Sequence, residues 1–198
     1  LGMFIAIPAI YAETFFEGFF SAFSLPETTF LLFYFLFGIA FVEEFLKYLA
    51  VRFGVLANVA LDEPLDVMLY MVVAGLGFAA LENILLLFGL IQTYPISDVF
   101  LVNVIRFAQA VSLHALSSGL LGYFLALSLF WKKHRWFLTP LGFGLATLLH
   151  GFFNFYIFTI GGQNFILLLL PIVPLAAIAV LISLGFQELK TLWNKKSQ

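Results

Sequence analysis

The chain has no cysteine among its 198 residues and carries few charges. The lack of cysteine excludes thiol nucleophiles, disulfides and cysteine-based metal sites. The formal net charge is −2, and the nine Lys and Arg residues form no tract long enough to follow a phosphate backbone. Nucleic acid is therefore not expected as a partner.

Apolar residues dominate instead, at 63% of the chain against 10% charged, with a mean hydropathy of +1.09. Soluble domains are about half apolar and about a quarter charged. A chain this apolar needs the lipid bilayer as the solvent for much of its surface. We expect no cleavable signal peptide, because no basic region precedes the first apolar run.

Five apolar segments are long enough to cross a bilayer, for which a helix needs about 20 residues. The alternation of a membrane β-barrel is missing, so the spans are predicted to be helices. The fold class is therefore all-α, a polytopic transmembrane helical bundle in a single domain, 1–198. The predicted spans are 26–52, 66–91, 99–131, 136–160 and 164–187.

The structure of residues 1–23 is left undecided by the sequence, because they are apolar but contain Pro8, Glu13 and Glu17. They fit part of a sixth span, a partly buried helix or an interfacial helix. The turns between spans are clearer. Ser-Leu-Pro-Glu at 24–27 predicts a capping box with proline in the first turn, and Asp-Glu-Pro at 62–64 predicts the same start for the second span.

The cations predict the orientation. If the five spans alternate, eight of the nine Lys and Arg residues lie at or near one side, and only Arg106 lies toward the other. The positive-inside rule then places the loops 53–65 and 132–135 and the C-terminus in the cytoplasm.

Ionisable groups inside a span cost roughly 2.5–3.5 kcal/mol each on insertion scales, so they persist where they are paired or functional. In the first span, Glu43 and Lys47 share a helix face and can pair, which leaves Glu44 without an obvious local partner. Two adjacent carboxylates resist joint ionisation, which prepares one of them for acid–base chemistry. A helix end with a snorkelling lysine fits the same residues.

Deeper polar residues occur on the next three spans. Glu82 and Asn83 have no nearby cation in the sequence, and His150 and Asn154 lie one turn apart. In the third span, polar residues recur every three or four positions and are predicted to face the bundle interior. That face consists of Asn103, Arg106, Ala110, His114 and Ser117. Three glycines of the fourth span, Gly142, Gly144 and Gly151, allow close helix neighbours.

Counting residues from the helix ends places Glu82, His114 and His150 roughly 20–25 Å from the cytoplasmic side. Glu43 and Glu44 come out shallower unless the first helix continues past Arg52. Such a set predicts a water-activating site, and without cysteine it could hold Zn²⁺ through His114, His150 and Glu82. A purely structural polar network fits the same residues.

Taken in order, these residues resemble a known family. Glu43-Glu44-x-x-Lys47, Phe78-x-x-x-Glu82-Asn83, His114 and His150-x-x-x-Asn154, each on its own span, look like the PrsW family of intramembrane proteases. That family is distantly related to the CAAX-prenyl endopeptidase and bacteriocin-immunity membrane proteases. The resemblance covers about 40–156, most of the chain.

The resemblance implies a peptidase of a prokaryotic cell membrane that cuts a single-pass membrane protein, such as an anti-sigma factor. It implies that Glu43 or Glu44 activates water while Lys47 pairs with the other. His114 and His150 would bind the substrate carbonyl or hold a metal, and Asn154 would donate to the oxyanion. The supporting positions are Lys47, Asn83 and Arg106.

Because of two departures from the CAAX-type pattern, two mechanisms stay open: activation of water by a glutamate and activation of water by a metal ion. Those enzymes have an arginine one residue after the position of Lys47, and a histidine where Glu82-Asn83 stands, so a three-histidine site is not available. Other protease chemistries fit less well, because the chain has no HExxH and no paired intramembrane aspartates. Ser117 and Ser118 are expected to pack helices or to bond to backbone carbonyls.

Two other function classes share these features. Deep glutamate and histidine residues also form the proton relays of coupled transporters, although the sequence has no internal repeat or broken helix of the kind that transporters use. A non-catalytic membrane interaction or immunity protein would have the same fold without the catalytic activity. The sequence sets no oligomeric state.

The absence of cysteine makes the predicted orientation directly testable. A Lys133→Cys variant should resist a membrane-impermeant maleimide in intact cells and react after lysis, because its loop is predicted to be cytoplasmic. Gln92→Cys, after the second span, should react in intact cells. The reverse labelling pattern would invert the orientation.

Overall fold

The computed structural model describes residues 1–54, 63–92, 96–161 and 165–196, and in these ranges the regular structure is helical throughout. Two π-helical stretches extend neighbouring helices: Tyr34–Ala40 joins α2 to α3, and Ile157–Gly161 follows α6. A 3-10 turn, Lys132–His134, connects α5 to α6. The helices are α1 (Gly2–Ser21), α2 (Glu27–Phe33), α3 (Phe41–Gly54), α4 (Pro64–Ile91), α5 (Ile96–Phe130), α6 (Arg135–Tyr156), α7 (Phe165–Leu169) and α8 (Ile172–Lys196).

Six helical segments in the described part of the chain are long and apolar enough to cross a membrane. They confirm the polytopic bundle, and five of them correspond to the five predicted spans. The sixth is α1, so the open N-terminal region forms a helix of 20 residues with Pro8 inside it. Its small residues Ala6 and Ala9 pack against Phe78 of α4.

The last predicted span is broken, which corrects the expectation of unbroken helices. A turn at Leu170 and Pro171 separates α7 from α8. Carbonyl groups at the end of α7 therefore lack full helical pairing: Leu167 O accepts only a turn bond from the Leu170 N–H at 3.3 Å. Side chains from other helices supply further donors. The Tyr156 hydroxyl donates to Leu167 O at 3.0 Å, and Gln109 Nε2 donates to Leu168 O at 2.7 Å. Such replacement partners are what a helix break at membrane depth requires.

The two predicted capping boxes had different outcomes. At α4 the box is present, with Glu63 as N-cap, Pro64 in the first turn and the Glu63 N–H donating to Asp66 Oδ2 at 3.1 Å. Asp62, the loop 55–62 and the Tyr94-Pro95 turn lie outside the described residues. At α2 the prediction is wrong, because Ser24 has a left-handed φ of 49° and Pro26 takes the N-cap position. An N-cap serine needs extended backbone.

The cation-rich helix ends meet at one end of the bundle. Val51 of α3 packs with Val67 of α4 and Leu125 of α5. The start of α6 and the later part of α8 join them, since Leu138 and Leu189 share a second cluster with the α4 and α5 ends. The helix ends that carry the cations therefore pack together, as the prediction of spans that alternate in direction requires.

Two glycines that allow close helix approaches lie beside polar residues of the bundle interior. A Cβ on Gly75 would lie 2.5 Å from His114 O, and one on Gly151 would lie 2.6 Å from a methyl group of Leu36. Gly142 likewise abuts Phe124, but a Cβ on Gly144 would meet nothing within 4 Å, so that part of the prediction is wrong. These contacts bring α4 against α5 and α6 against the π-helical stretch.

Candidate functional site

Five ionisable side chains predicted from the sequence meet at the centre of the bundle. Glu43, Glu44 and Lys47 project from α3, His114 from α5 and His150 from α6, and each is at most 2% exposed. The two carboxylates are therefore not shallower than the histidines. This agrees with the stated condition, since α3 continues past Arg52, to Gly54.

Glu44 is the most completely bonded group of this cluster. Its Oε1 accepts from Lys47 Nζ at 2.8 Å, from Ser117 Oγ at 2.9 Å and from His150 Nδ1 at 3.1 Å. Its Oε2 accepts from Ser118 Oγ at 3.1 Å. The expectation that Glu44 lacks a local partner is therefore wrong. The expectation for the serines is incomplete: Ser117 does approach the carbonyl of His114 at 3.4 Å and Ser118 does pack against Gly75, but both also donate to Glu44. Four donors leave this carboxylate no free capacity for water.

Lys47 binds both carboxylates, and the closer one is not the one predicted. Its ammonium lies 3.4 Å from Glu43 Oε2, against 2.8 Å from Glu44 Oε1. It also lies 2.8 Å from His114 Nδ1 and 4.4 Å from the centre of the Phe78 ring. An ammonium has three hydrogens and no lone pair, so these three polar contacts account for all its donors and make His114 Nδ1 an acceptor.

The two histidines have matching surroundings. With Nδ1 accepting from Lys47, His114 carries its proton on Nε2 and donates it to Glu82 Oε2 at 2.6 Å. His150 donates from Nδ1 to Glu44, so its Nε2 carries the lone pair. That Nε2 is buried and has no hydrogen-bond partner. In each ring, one nitrogen therefore donates to a carboxylate that fixes it, and the other nitrogen carries the lone pair.

Glu43 faces these two lone pairs. Its Oε2 lies 3.6 Å from His114 Nδ1 and 3.7 Å from His150 Nε2. One ligand atom from each of the three residues lies within 4.8 Å of the others. Ligands around a tetrahedral Zn²⁺ are separated by about 3.4 Å, as its bond lengths of about 2.0–2.2 Å require.

The donor chemistry fits a metal ion. Two imidazole lone pairs and one carboxylate converge, and each imidazole is oriented by a further carboxylate, which is the usual outer shell of a metal-binding histidine. The unpartnered Nε2 of His150 is an unused ligand atom. The composition differs from the predicted ligand set, because Glu43 takes the place of Glu82, which instead orients His114. A bound ion and the Lys47 ammonium would compete for His114 Nδ1.

The remaining predicted residues surround a cavity of about 60 Å³ next to His114. Asn83 turns its amide to Ala79 O of its own helix at 2.8 Å. Arg106 and Asn154 face the cavity without an ion pair or hydrogen bond to another described residue. None of the three bonds to the central cluster. The side chain of Asn103 lies outside the described residues. The lining is Glu82, Asn83, Leu86, Arg106, Gln109, Ala110, Leu113, His114, Phe153, Asn154 and Ile157.

Sequence reasoning missed three contributors. Ser117 and Ser118 could have been assigned from their spacing, because they lie one turn after His114 on its helix. Gln109 lines the cavity but lies beside, not on, the predicted polar face. Its hydrogen-bond partner, Leu168 O, belongs to α7, and no pattern in the sequence indicated that contact.

Comparisons with known proteins find relatives of this chain. A family model described as PrsW family intramembrane metalloprotease matches residues 1–184. Protease PrsW of Oceanobacillus iheyensis is 34% identical over 158 residues, 80% of this chain and 69% of that protein. The Protease PrsW of Geobacillus kaustophilus is 34% identical over 58% of this chain and 48% of that protein. The one of Bacillus subtilis is 33% identical over 66% and 56% respectively.

The matches thus span between 48% and 69% of the length of these relatives. All five residues of the central cluster lie within the matched range 1–184. No solved structure matches the chain.

The bonding of the cluster predicts unequal roles for the two adjacent carboxylates. Glu44→Gln should destabilise the protein by at least about 3 kcal/mol, because an amide repels several donors and hydrogen bonds to charged groups contribute about 1.5–3 kcal/mol each. Glu43→Gln should cost less, since its polar contacts are 3.4 Å or longer. Thermal unfolding of the purified variants in one detergent measures both.

Glu188→Gln is the matched control. Glu188 accepts one hydrogen bond, from the exposed Tyr123 hydroxyl at 2.7 Å, so its loss should change stability by no more than about 1 kcal/mol. Equal destabilisation by Glu43→Gln and Glu44→Gln would contradict the assignment of Glu44 as the anchoring carboxylate.

Proposed function

The chain belongs to the PrsW family of intramembrane metalloproteases, and on that basis we propose that it hydrolyses a peptide bond of a membrane-anchored protein at the Glu43–His114–His150 group. Membership identifies it as a peptidase of the membrane. The observation that carries the assignment is the pair of histidine nitrogens beside Glu43: His150 Nε2 is buried without a partner, and His114 Nδ1 accepts from Lys47, which a bound ion would displace.

The proton assignments support metal binding over direct polarisation of the substrate carbonyl. His114 donates to Glu82 and His150 donates to Glu44, so neither neutral ring has a second N–H to offer an oxyanion. Glu43, His114 and His150 would hold the ion, and Glu82 and Glu44 act as positioning residues for the rings. A bound metal ion supplies Lewis-acid activation of water and of the scissile carbonyl.

The residues of the chain then handle the proton. A carboxylate has two oxygens, so Glu43 can face the ion with one and accept a proton with the other. It takes the proton of the attacking water and returns it to the nitrogen of the leaving amine. The C–N bond breaks, and the second proton of the water passes from the new carboxyl group to the amine, so the products are a carboxylate and an ammonium group. Asn154, which lines the cavity beside His114, would donate to the developing oxyanion.

The substrate is proposed to be a single-pass membrane protein, with membrane-anchored anti-sigma factors as the first class to test. A site at the centre of the bundle is reached only by a segment that is itself within the bilayer. The cavity leads from His114 toward Arg106 and Leu86, the end of the bundle opposite the cation-rich helix ends. We propose that this is the route of the scissile segment and of water, on the non-cytoplasmic side.

The proposal is tested by co-reconstitution with a panel of single-pass anti-sigma factors in liposomes. Wild type should release a fragment whose new terminus, located by mass spectrometry, falls in or next to the transmembrane segment. Glu43→Gln should lower the rate by about 10²–10⁴, the usual contribution of a general base. Glu188→Gln, far from the cluster, should cleave at the wild-type rate.

Cleavage by Glu43→Gln at the wild-type rate would refute the assignment of the site. Wild type that binds a panel member without cutting it would instead support a non-catalytic interaction protein. Substrate-driven proton flux without cleavage would support a transporter.

A further inference from the structure

Gln109 is buried in the wall of the cavity with half of its amide group engaged. It is 3% exposed, and its Nε2 donates to Leu168 O at 2.7 Å. Because the partner is a carbonyl oxygen, only the NH₂ end of the amide can face it. The orientation of the Gln109 amide is therefore set by chemistry, with Oε1 on the other side.

That oxygen has no hydrogen-bond partner among the described residues. A buried acceptor without a donor costs about 1–3 kcal/mol, so native proteins rarely leave one unused. Gln109 lines the cavity on the same helix as His114, five residues earlier, about 7.5 Å along the axis. The unused acceptor thus lies close to the proposed reaction centre.

The substrate is a source of donors that this acceptor could bind. A transmembrane helix must unwind before its backbone can be cut, and unwinding removes the partners of its N–H groups. In a site without bulk water, each unpaired N–H costs several kcal/mol. The cavity, at about 60 Å³, has room for only a few waters, so the helices around it must move apart to admit even an extended segment, whose N–H groups must then be bonded by its walls.

Few other groups of the wall can accept. Arg106 has only donors. Glu82 already accepts from His114 through Oε2. Asn83 donates its NH₂ group to Ala79 O and so also keeps an amide oxygen, but that oxygen is not among the buried atoms without a partner in the described residues. Asn154 is proposed to donate to the oxyanion. Gln109 Oε1 is the buried acceptor in the lining that is held in place and left unused.

We propose that Gln109 Oε1 accepts a hydrogen bond from a peptide N–H of the unwound substrate near the scissile bond. This inference rests on the proposed protease function and adds a substrate-binding residue to it. The bond from Gln109 Nε2 to α7 holds the acceptor in place before the substrate enters, so the α7–α8 break and substrate binding are connected through one side chain.

The test removes the donor and the acceptor separately. A synthetic peptide is made of the transmembrane segment that wild type cleaves in the anti-sigma-factor panel. Ester linkages replace single amides next to, but not at, the scissile bond, and each ester removes one N–H. Dissociation constants are measured in liposomes with the Glu43→Gln background, which is expected to bind without cutting, and with Glu43→Gln/Gln109→Met. Methionine keeps the length of glutamine without its polar atoms.

In the Glu43→Gln background, one ester position should weaken binding about three- to tenfold, the effect of losing one hydrogen bond. In the Gln109→Met double variant that ester should bind like the parent peptide, while other positions keep their effects. Gln109→Met alone should raise KM by a similar factor with a smaller change in kcat. Ser112→Ala is the matched control, since Ser112 lies on the same helix and bonds only to Ala108 O.

A purely structural role of Gln109, as a cap of α7, predicts a different pattern. Gln109→Met would then lower thermal stability or kcat, and every ester would have the same effect with and without Gln109. That result would overturn the inference while leaving the protease function intact. Failure of wild type to cut any panel member would overturn both.

Discussion

The structure depends on keeping one ammonium group, Lys47, buried at the centre of a membrane protein. An ion of this kind is tolerated only when opposite charges and hydrogen bonds surround it. Glu43 and Glu44 supply the charges from the same helix, and His114 supplies the third acceptor from α5. Since α3 alone does not satisfy the group, Lys47 connects α3 to α5, and Glu44 connects α3 to α6 through His150. Gly75 and Gly151 allow the approach that these bonds need.

The same bonds that stabilise the cluster prepare its chemistry. Glu44 is held by four donors, and one of them is His150 Nδ1, so anchoring the carboxylate also sets the tautomer of the ring. Glu82 does the same for His114. As a result two lone pairs and the Glu43 carboxylate face each other in a buried volume. In the proposed mechanism, stability and activity are thus linked at Glu44, whereas Glu43 is the group left for the reaction.

Much of this arrangement could be predicted from the sequence, because membrane depth makes polar residues conspicuous. Glu43, Glu44, Lys47, His114 and His150 were all identified from their positions in apolar spans. Their partners were not, because a helical wheel shows which residues share a face but not which helix packs there. The wheel also suggested Glu43 as the partner of Lys47, whereas the contact of Lys47 with Glu44 is the shorter one. Gln109 was missed because its role depends on the break between α7 and α8, which brings Leu168 O to it from 59 residues away.

Metal content of the purified protein tests the central claim most directly. Wild type loaded with Zn²⁺ and dialysed should retain about one ion per chain by elemental analysis, as expected for a site of three protein ligands. His150→Ala and His114→Ala should each lose it, while Glu188→Gln should keep it. Absence of metal from wild type, or its retention in both histidine variants, would contradict the claim and leave Glu43 to activate water without an ion.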